Sequence, residues 1–311
     1  MTMGLVLFAG VMSVFVGMRT TSDETSRYGV MQEKGRFVIS ILSEDLMRQG
    51  FFGDLMVPPS TSVLTSLPAA PVGDCTGDGL NNASFPLAVG SYRTLWGETV
   101  TSASIMGGCV TNAKTNSDVI QLKRTLSSEH TGARTASRYY LVSNYTEGVI
   151  IDDDDAMPVI NDSRMFEYQH HIYYVQEETR GNDVVPMLYT RTLSANMQSQ
   201  PLVDGIERIR FMYGVDTDLD GYVNAFFSAD DMNSSGGGAG ALWDNASSQI
   251  LAVKMYVLVR DLFADADYTN STVYQMGAGN DGLFTAPDDN YRRMLFSSTV
   301  SLYNGDVKVW D

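Results

Sequence analysis

The residues best suited to chemistry are acidic and closely spaced. Asp216-Thr217-Asp218-Leu219-Asp220-Gly221 reads D-x-D-x-D-G, with Asn224 at the ninth place. Alternating carboxylates on a tight turn converge on one hard cation, and glycine permits the sharp bend. Asp216, Asp218, Asp220 and Asn224 are therefore expected as calcium ligands. The twelfth place holds Phe227 where such a loop carries a bidentate glutamate, so Asp230 or Asp231 would have to complete the shell. The competing reading is an acidic hairpin turn that binds nothing. A weaker copy, Asp74-Cys75-Thr76-Gly77-Asp78-Gly79 with Asn82, has threonine in place of one carboxylate. Asn280-Asp281-Gly282 and Asp288-Asp289 read as turns.

Other chemistry finds little to work with. The histidines are His130, His170 and His171. The adjacent pair would point to opposite faces of a strand and would not chelate together. Glu177-Glu178 reads as solvated surface. No nucleophile-elbow, zinc-protease, Walker or dinucleotide-binding pattern occurs, so an enzyme is not expected. The formal net charge of −16 over 311 residues argues against nucleic acid, which is bound through basic patches. It suits a well-solvated extracytoplasmic protein or one that binds cations.

The cysteines are Cys75 and Cys109, in Gly/Asn/Thr-rich sequence without a C-x-x-C pattern. If the N-terminus is a membrane anchor, the rest can lie in an oxidising compartment, where a Cys75–Cys109 disulfide follows. Its loop closure would contribute on the order of 3–4 kcal/mol. Two buried, unpaired thiols are the alternative.

The elements that must position these residues begin with a helix. The first eighteen residues carry no charged side chain, and residues 20–50 continue in the same period. Tyr28, Met31, Val38, Leu42 and Leu46 recur at helical spacing, Gly35 falls on their stripe, and Ile39 widens it. Glu33, Glu44 and Arg48 lie opposite, with Phe37 and Ile41 among them. That mixed face fits a helix with a head on one side and neighbouring helices on another. A signal peptide would need a basic start and a cleavage site, and a membrane anchor needs about 20 apolar residues. The third reading is a longer apolar helix whose first residues precede this sequence. Gly50 and Gly53 should end the helix, and Pro58-Pro59 should prevent its resumption.

Residues 53–118 read as a loop-rich region pinned by the disulfide, and residues 119–311 as a β-rich head. The N-terminal unit spans residues 1–52, a helix for the membrane or a filament core. Strands are expected at 119–125, 138–143, 168–176, 187–191, 206–213, 250–259 and 294–302, with loops at 152–155 and at the glycine run 236–238. The fold class expected is α+β: a long N-terminal helix, apolar then amphipathic, packed on an antiparallel β-sheet head.

Gln32-Glu33-Lys34-Gly35-Arg36-Phe37, Leu42, Asp45-Leu46-Met47-Arg48-Gln49-Gly50 and Phe51-Phe52-Gly53 follow one another along the N-terminal helix and its end. On these residues the chain resembles the PilW-type minor pilins of type IV pili. The resemblance continues through Ser117-Asp118-Val119-Ile120, His171-Ile172-Tyr173-Tyr174-Val175 and Pro186-Met187-Leu188-Tyr189. Its most specific part is Leu202-Val203-Asp204-Gly205-Ile206-Glu207, followed by Phe211 to Asp218. Tyr291-Arg292-Arg293 and Ser297-Ser298-Thr299-Val300 close it. The family's mature chains open on a short Phe-Ser/Thr-Leu-Ile/Val-Glu stretch behind a cleaved glycine. This sequence lacks that stretch and falls on the order of nine residues short of the usual membrane-length helix.

The resemblance implies a structural subunit, a minor pilin that supports pilus assembly and, through the pilus, adhesion, motility or DNA uptake. It implies other pilin subunits as partners through the N-terminal helix. It further implies the bacterial inner membrane before assembly and the extracellular pilus afterwards. A type II secretion minor pseudopilin stands close to it. The reading from a different class is a membrane-anchored calcium-binding or adhesive ectodomain that never polymerises.

Overall fold

The computed structural model describes residues 2–56, 59–77, 79–87, 92–181, 183–234, 242–279 and 282–303. Pro58, Asp78, the glycine run 236–238 and Asn280-Asp281 lie outside them, as do most side chains of the uncharged opening.

Helix α1 spans Thr2–Arg48. It stops where the glycines were expected to stop it: Gly50 adopts φ 72°, a left-handed conformation that costs glycine little. The Gly50 N–H then donates to the carbonyl of Lys123, fastening the helix end to a strand. Among the described residues no helix is long and apolar enough to cross a membrane. The expected membrane-spanning helix is therefore not found there.

Four short strands follow: β1 (Leu64–Ser66), β2 (Leu95–Thr99), β3 (Ser104–Ile105) and β4 (Val110–Thr111). Next come β5 (Asp118–Thr125), β6 (Tyr139–Ser143), β7 (Gly148–Ile151), β8 (Arg164–Arg180), β9 (Asp183–Leu193) and β10 (Met197–Asp204). The chain continues through β11 (Ile206–Asp216), β12 (Ala225–Ser228), the short helix α2 (Ala229–Ser234) and β13 (Gln249–Arg260). It ends with β14 (Val273–Gln275), β15 (Leu283–Thr285) and β16 (Arg293–Ser301).

The α+β expectation is corrected here. Among the described residues strand makes up 42% and helix 16%, and one helix exceeds six residues, so the protein is mostly β. A helix lying on one antiparallel sheet does not describe it, because there are two main sheets. The first has eight strands in the order β1-β7-β6-β8-β5-β2, with β9 on the far half of β8 and β10 on β9. Its β1–β7 pairing is parallel. The second is antiparallel, in the order β12-β11-β13-β16.

The reason lies in burial on both faces. Every residue of β5 is buried. Ile120 and Leu122 join a core shared with Ile209, Phe211 and Tyr213 of the second sheet and with Met31, Val38, Leu42 and Leu46 of α1. On the opposite face, Ile172, Tyr168 and Tyr174 of β8 and Trp96 of β2 meet Phe85, Cys75 and Cys109 of the loop layer. The first sheet is thus a middle layer, and a second apolar core forms where the sequence showed only polar loops.

Candidate functional site

The polar half of α1 is fixed to the head along its length. Glu24 pairs with Arg292 at 2.8 Å, Arg27 with Asp261 at 3.5 Å, and Lys34 with Asp204 at 2.6 Å. Arg292 also donates to Tyr28 Oη and to Asp265, so it gathers the helix and the segment beyond β13 around one guanidinium. At Gly35 the helix lies so close to Phe296 that an added Cβ would clash with the edge of the aromatic ring.

The strongest anchor is Asp45. Its carboxylate is buried and accepts from Arg124 Nε at 2.6 Å, from His171 Nδ1 at 2.7 Å and from Tyr173 Oη at 2.9 Å. Burial alone would raise its pKa, but the His171 hydrogen bond and the charges of His171 and Arg124 outweigh it. The carboxyl is held well below the usual carboxylate range. In the sequence Asp45 stands without a recognisable role of its own. The available signal was its position, an acid between the core residues Leu42 and Leu46.

The opposite face of α1 is open. Val30, Phe37 and Met47 are 47%, 52% and 42% exposed, among exposed Glu33, Ser40 and Glu44. Phe37 and Met47 thus stand among exposed polar side chains, while Val30 borders a cavity it shares with Arg260, Asp261, Leu262 and Phe263 of the head.

The acidic loop joins β11 to β12. One oxygen each of Asp216, Asp218 and Asp220 lies within 4.8 Å of the others. Asp216 is buried, and its two oxygens accept the N–H groups of Asp218, Leu219 and Gly221. Burial raises its pKa, but those backbone donors prevail and hold it low. Asn224 is not turned onto the cluster: its Oδ1 accepts from the N–H and hydroxyl of Thr217. Phe227, at the twelfth place, packs against the core. Asp231 accepts from Ser228 Oγ and donates its own N–H back, capping α2. Hydrogen bonds within the loop thus account for its shape.

The weaker copy locks a different turn. Asp74 accepts from the Cys75 N–H, the Ser84 N–H and the Ser84 hydroxyl, while Asn82 is fully buried. The Cys75–Cys109 disulfide is present, with its Cα atoms 5.1 Å apart. His170 and His171 point to opposite faces of β8. His170 is buried between Gln121 and Ser84, and its pKa is pushed down by burial. His130 is bonded to the Ala133 carbonyl.

Together the elements define a class: a mostly β head carried on one long helix, with the helix's polar half fixed by buried charge. Residues 172–304, from within β8 to just past β16, match the family model described as Type IV Pilus-assembly protein W. The match covers less than half of the chain and supports a PilW-type pilus protein, with involvement in type IV pilus assembly and association with the envelope or pilus and its other components. No curated protein and no solved structure matches it.

Proposed function

We propose that the chain is a structural, non-catalytic subunit of a type IV pilus, a minor pilin whose N-terminal helix joins it to other pilins. The apolar start of α1 resides in the inner membrane before assembly and in the filament core afterwards, and the acidic head stays outside. Through the filament it supports adhesion and motility. The open apolar face of α1 carries this reading. Burying Phe37 alone removes roughly 2 kcal/mol worth of apolar surface from water, enough to favour association when several such residues act together.

A photo-crosslinking amino acid at position 37 tests it, with position 159 in the head as the control. Residue 37 should link to other pilins in sheared pili, and residue 159 should not. Pili that incorporate a Phe37→Glu/Met47→Glu chain at wild-type levels would sink the reading.

A further inference from the structure

Exposed residues of α1 recur at alternating spacings of four and three: Ser26, Val30, Glu33, Phe37, Ser40, Glu44 and Met47. A seven-residue repeat keeps one side of a helix turned toward a neighbour that runs nearly parallel to it. Val30, Phe37 and Met47 are its apolar members, and Phe37 is the most exposed of them.

The same side of the helix holds a receptacle. A cavity of about 440 Å³ opens beside the start of the repeat, with room for an aromatic side chain. Val30 and Met31 line it from the helix, Leu262 and Phe263 from the head, and Phe263 is itself 66% exposed. Arg27 and Lys34 lie one helical turn to either side of the apolar helix wall. Aromatic anchors seated in such pockets carry much of the energy of an interface.

The charges fit Phe37 to this cavity. Glu33 stands one turn before Phe37 on the repeat, exposed and in no ion pair among the described residues. When Phe37 of one helix is level with Val30 of a parallel helix, Glu33 comes level with Ser26, beside Arg27. Arg27 remains 35% exposed despite its contact with Asp261, so a second carboxylate can reach it. Asp23, which also lines the cavity, lies a turn further on, level with the incoming Val30 and not with Glu33. The offset is one repeat, about 10 Å, and both helices keep their repeats in register. Two chains whose apolar helix starts share one membrane run parallel, as this offset requires.

We propose that Phe37 of one chain seats in this cavity of a second copy, the two helices parallel and offset by one seven-residue repeat. The contact rests on the proposed role of α1 in joining subunits, and it names the surface that receives the helix. Knob and cavity are different surfaces of the chain, so each contact leaves a cavity open on one copy and a Phe37 unused on the other. Copies therefore add one after another and do not close as dimers.

Benzoyl-phenylalanine at position 37 keeps the aromatic knob and tests the contact in cells that also carry an epitope-tagged, full-length second copy. After illumination the link should map to Val30, Met31, Leu262 or Phe263 of the tagged chain. Val30→Trp in the tagged chain fills the cavity from an exposed position and should lower the yield roughly tenfold. Glu33→Arg in the photoreactive chain sets like charge beside Arg27 and should lower it to a similar degree, roughly tenfold. Links to other residues of the tagged chain, or a yield indifferent to either substitution, overturn the proposal. Links to other pilins alone overturn it too, yet leave the role of α1 in joining subunits standing. No link to any protein removes both.

Discussion

Replacing Asp45 by asparagine keeps the shape and removes the charge, which isolates what the carboxylate contributes. In the native chain it balances Arg124, whose side chain is only 8% exposed, and accepts from His171 and Tyr173. Removing one member of a buried pair leaves the other uncompensated, a loss of roughly 3–5 kcal/mol. The asparagine amide would also turn a donor toward groups that are themselves donors, so the upper half of that range is expected. Against a total stability of about 5–15 kcal/mol this is a large fraction. Urea unfolding followed by the fluorescence of Trp96 and Trp243 would measure it at pH 7.

The acid limb gives a second, independent reading of Asp45. Its folded pKa lies below the 3.8 of an unperturbed aspartate. Its stabilisation is thus fully present above the unfolded value and is lost as pH falls toward the folded one. The wild-type and Asp45→Asn stability curves should converge below about pH 4. A loss under about 1 kcal/mol at pH 7, or curves that stay parallel down to pH 3, would refute the assignment of Asp45 as the helix anchor.

Asp118 should show the opposite sign. Burial lifts its carboxyl to about 6 despite Arg210 at 3.2 Å, so its contribution is full below 3.8 and lost as pH rises through 6. Relative to wild type, Asp118→Asn should gain roughly 3 kcal/mol between pH 4 and pH 7, read from the same urea curves. Gly35→Ala should improve intrinsic helix propensity by about 1 kcal/mol yet destabilise overall by a similar amount, because the methyl meets Phe296. Adding Phe296→Ala should reverse the sign of the alanine's effect, a coupling that a double-mutant cycle detects. Replacing Cys75 and Cys109 by serine should cost about 4 kcal/mol for a 34-residue separation. Limited proteolysis should then cut first within residues 53–113.

Each of the seven strand segments expected from the sequence overlaps a strand in the structure, because their apolar and β-branched residues announce themselves locally. The helix stripe was legible for the same reason, down to Gly35, whose missing side chain makes room for Phe296. What was hidden depends on distant partners. Gln121 and Lys123 look solvent-facing in the sequence, yet both are fully buried in β5. Gln121 donates to the Asn82 carbonyl, and Lys123 to the Arg93 carbonyl. Without those loop carbonyls, nothing indicates that the sheet is covered twice, and a single-sheet head is the natural inference. The Asp45 site was hidden in the same way, its partners Arg124, His171 and Tyr173 lying far along the chain. The acidic loop was legible as a cluster of Asp216, Asp218 and Asp220, whereas the hydrogen bond from the Thr217 N–H to Asn224 was not.

The row of attachments from Glu24 to Asp45 has a mechanical meaning. These residues are 21 positions apart, so the contacts are spread over roughly 30 Å of helix. A pull along the helix axis loads them side by side, as in a riveted lap joint, and no single bond must give way first. A subunit held in a fibre by its helix would therefore pass tension into the middle sheet through Asp45 and Arg124. The head would resist being peeled away until several rivets sheared together.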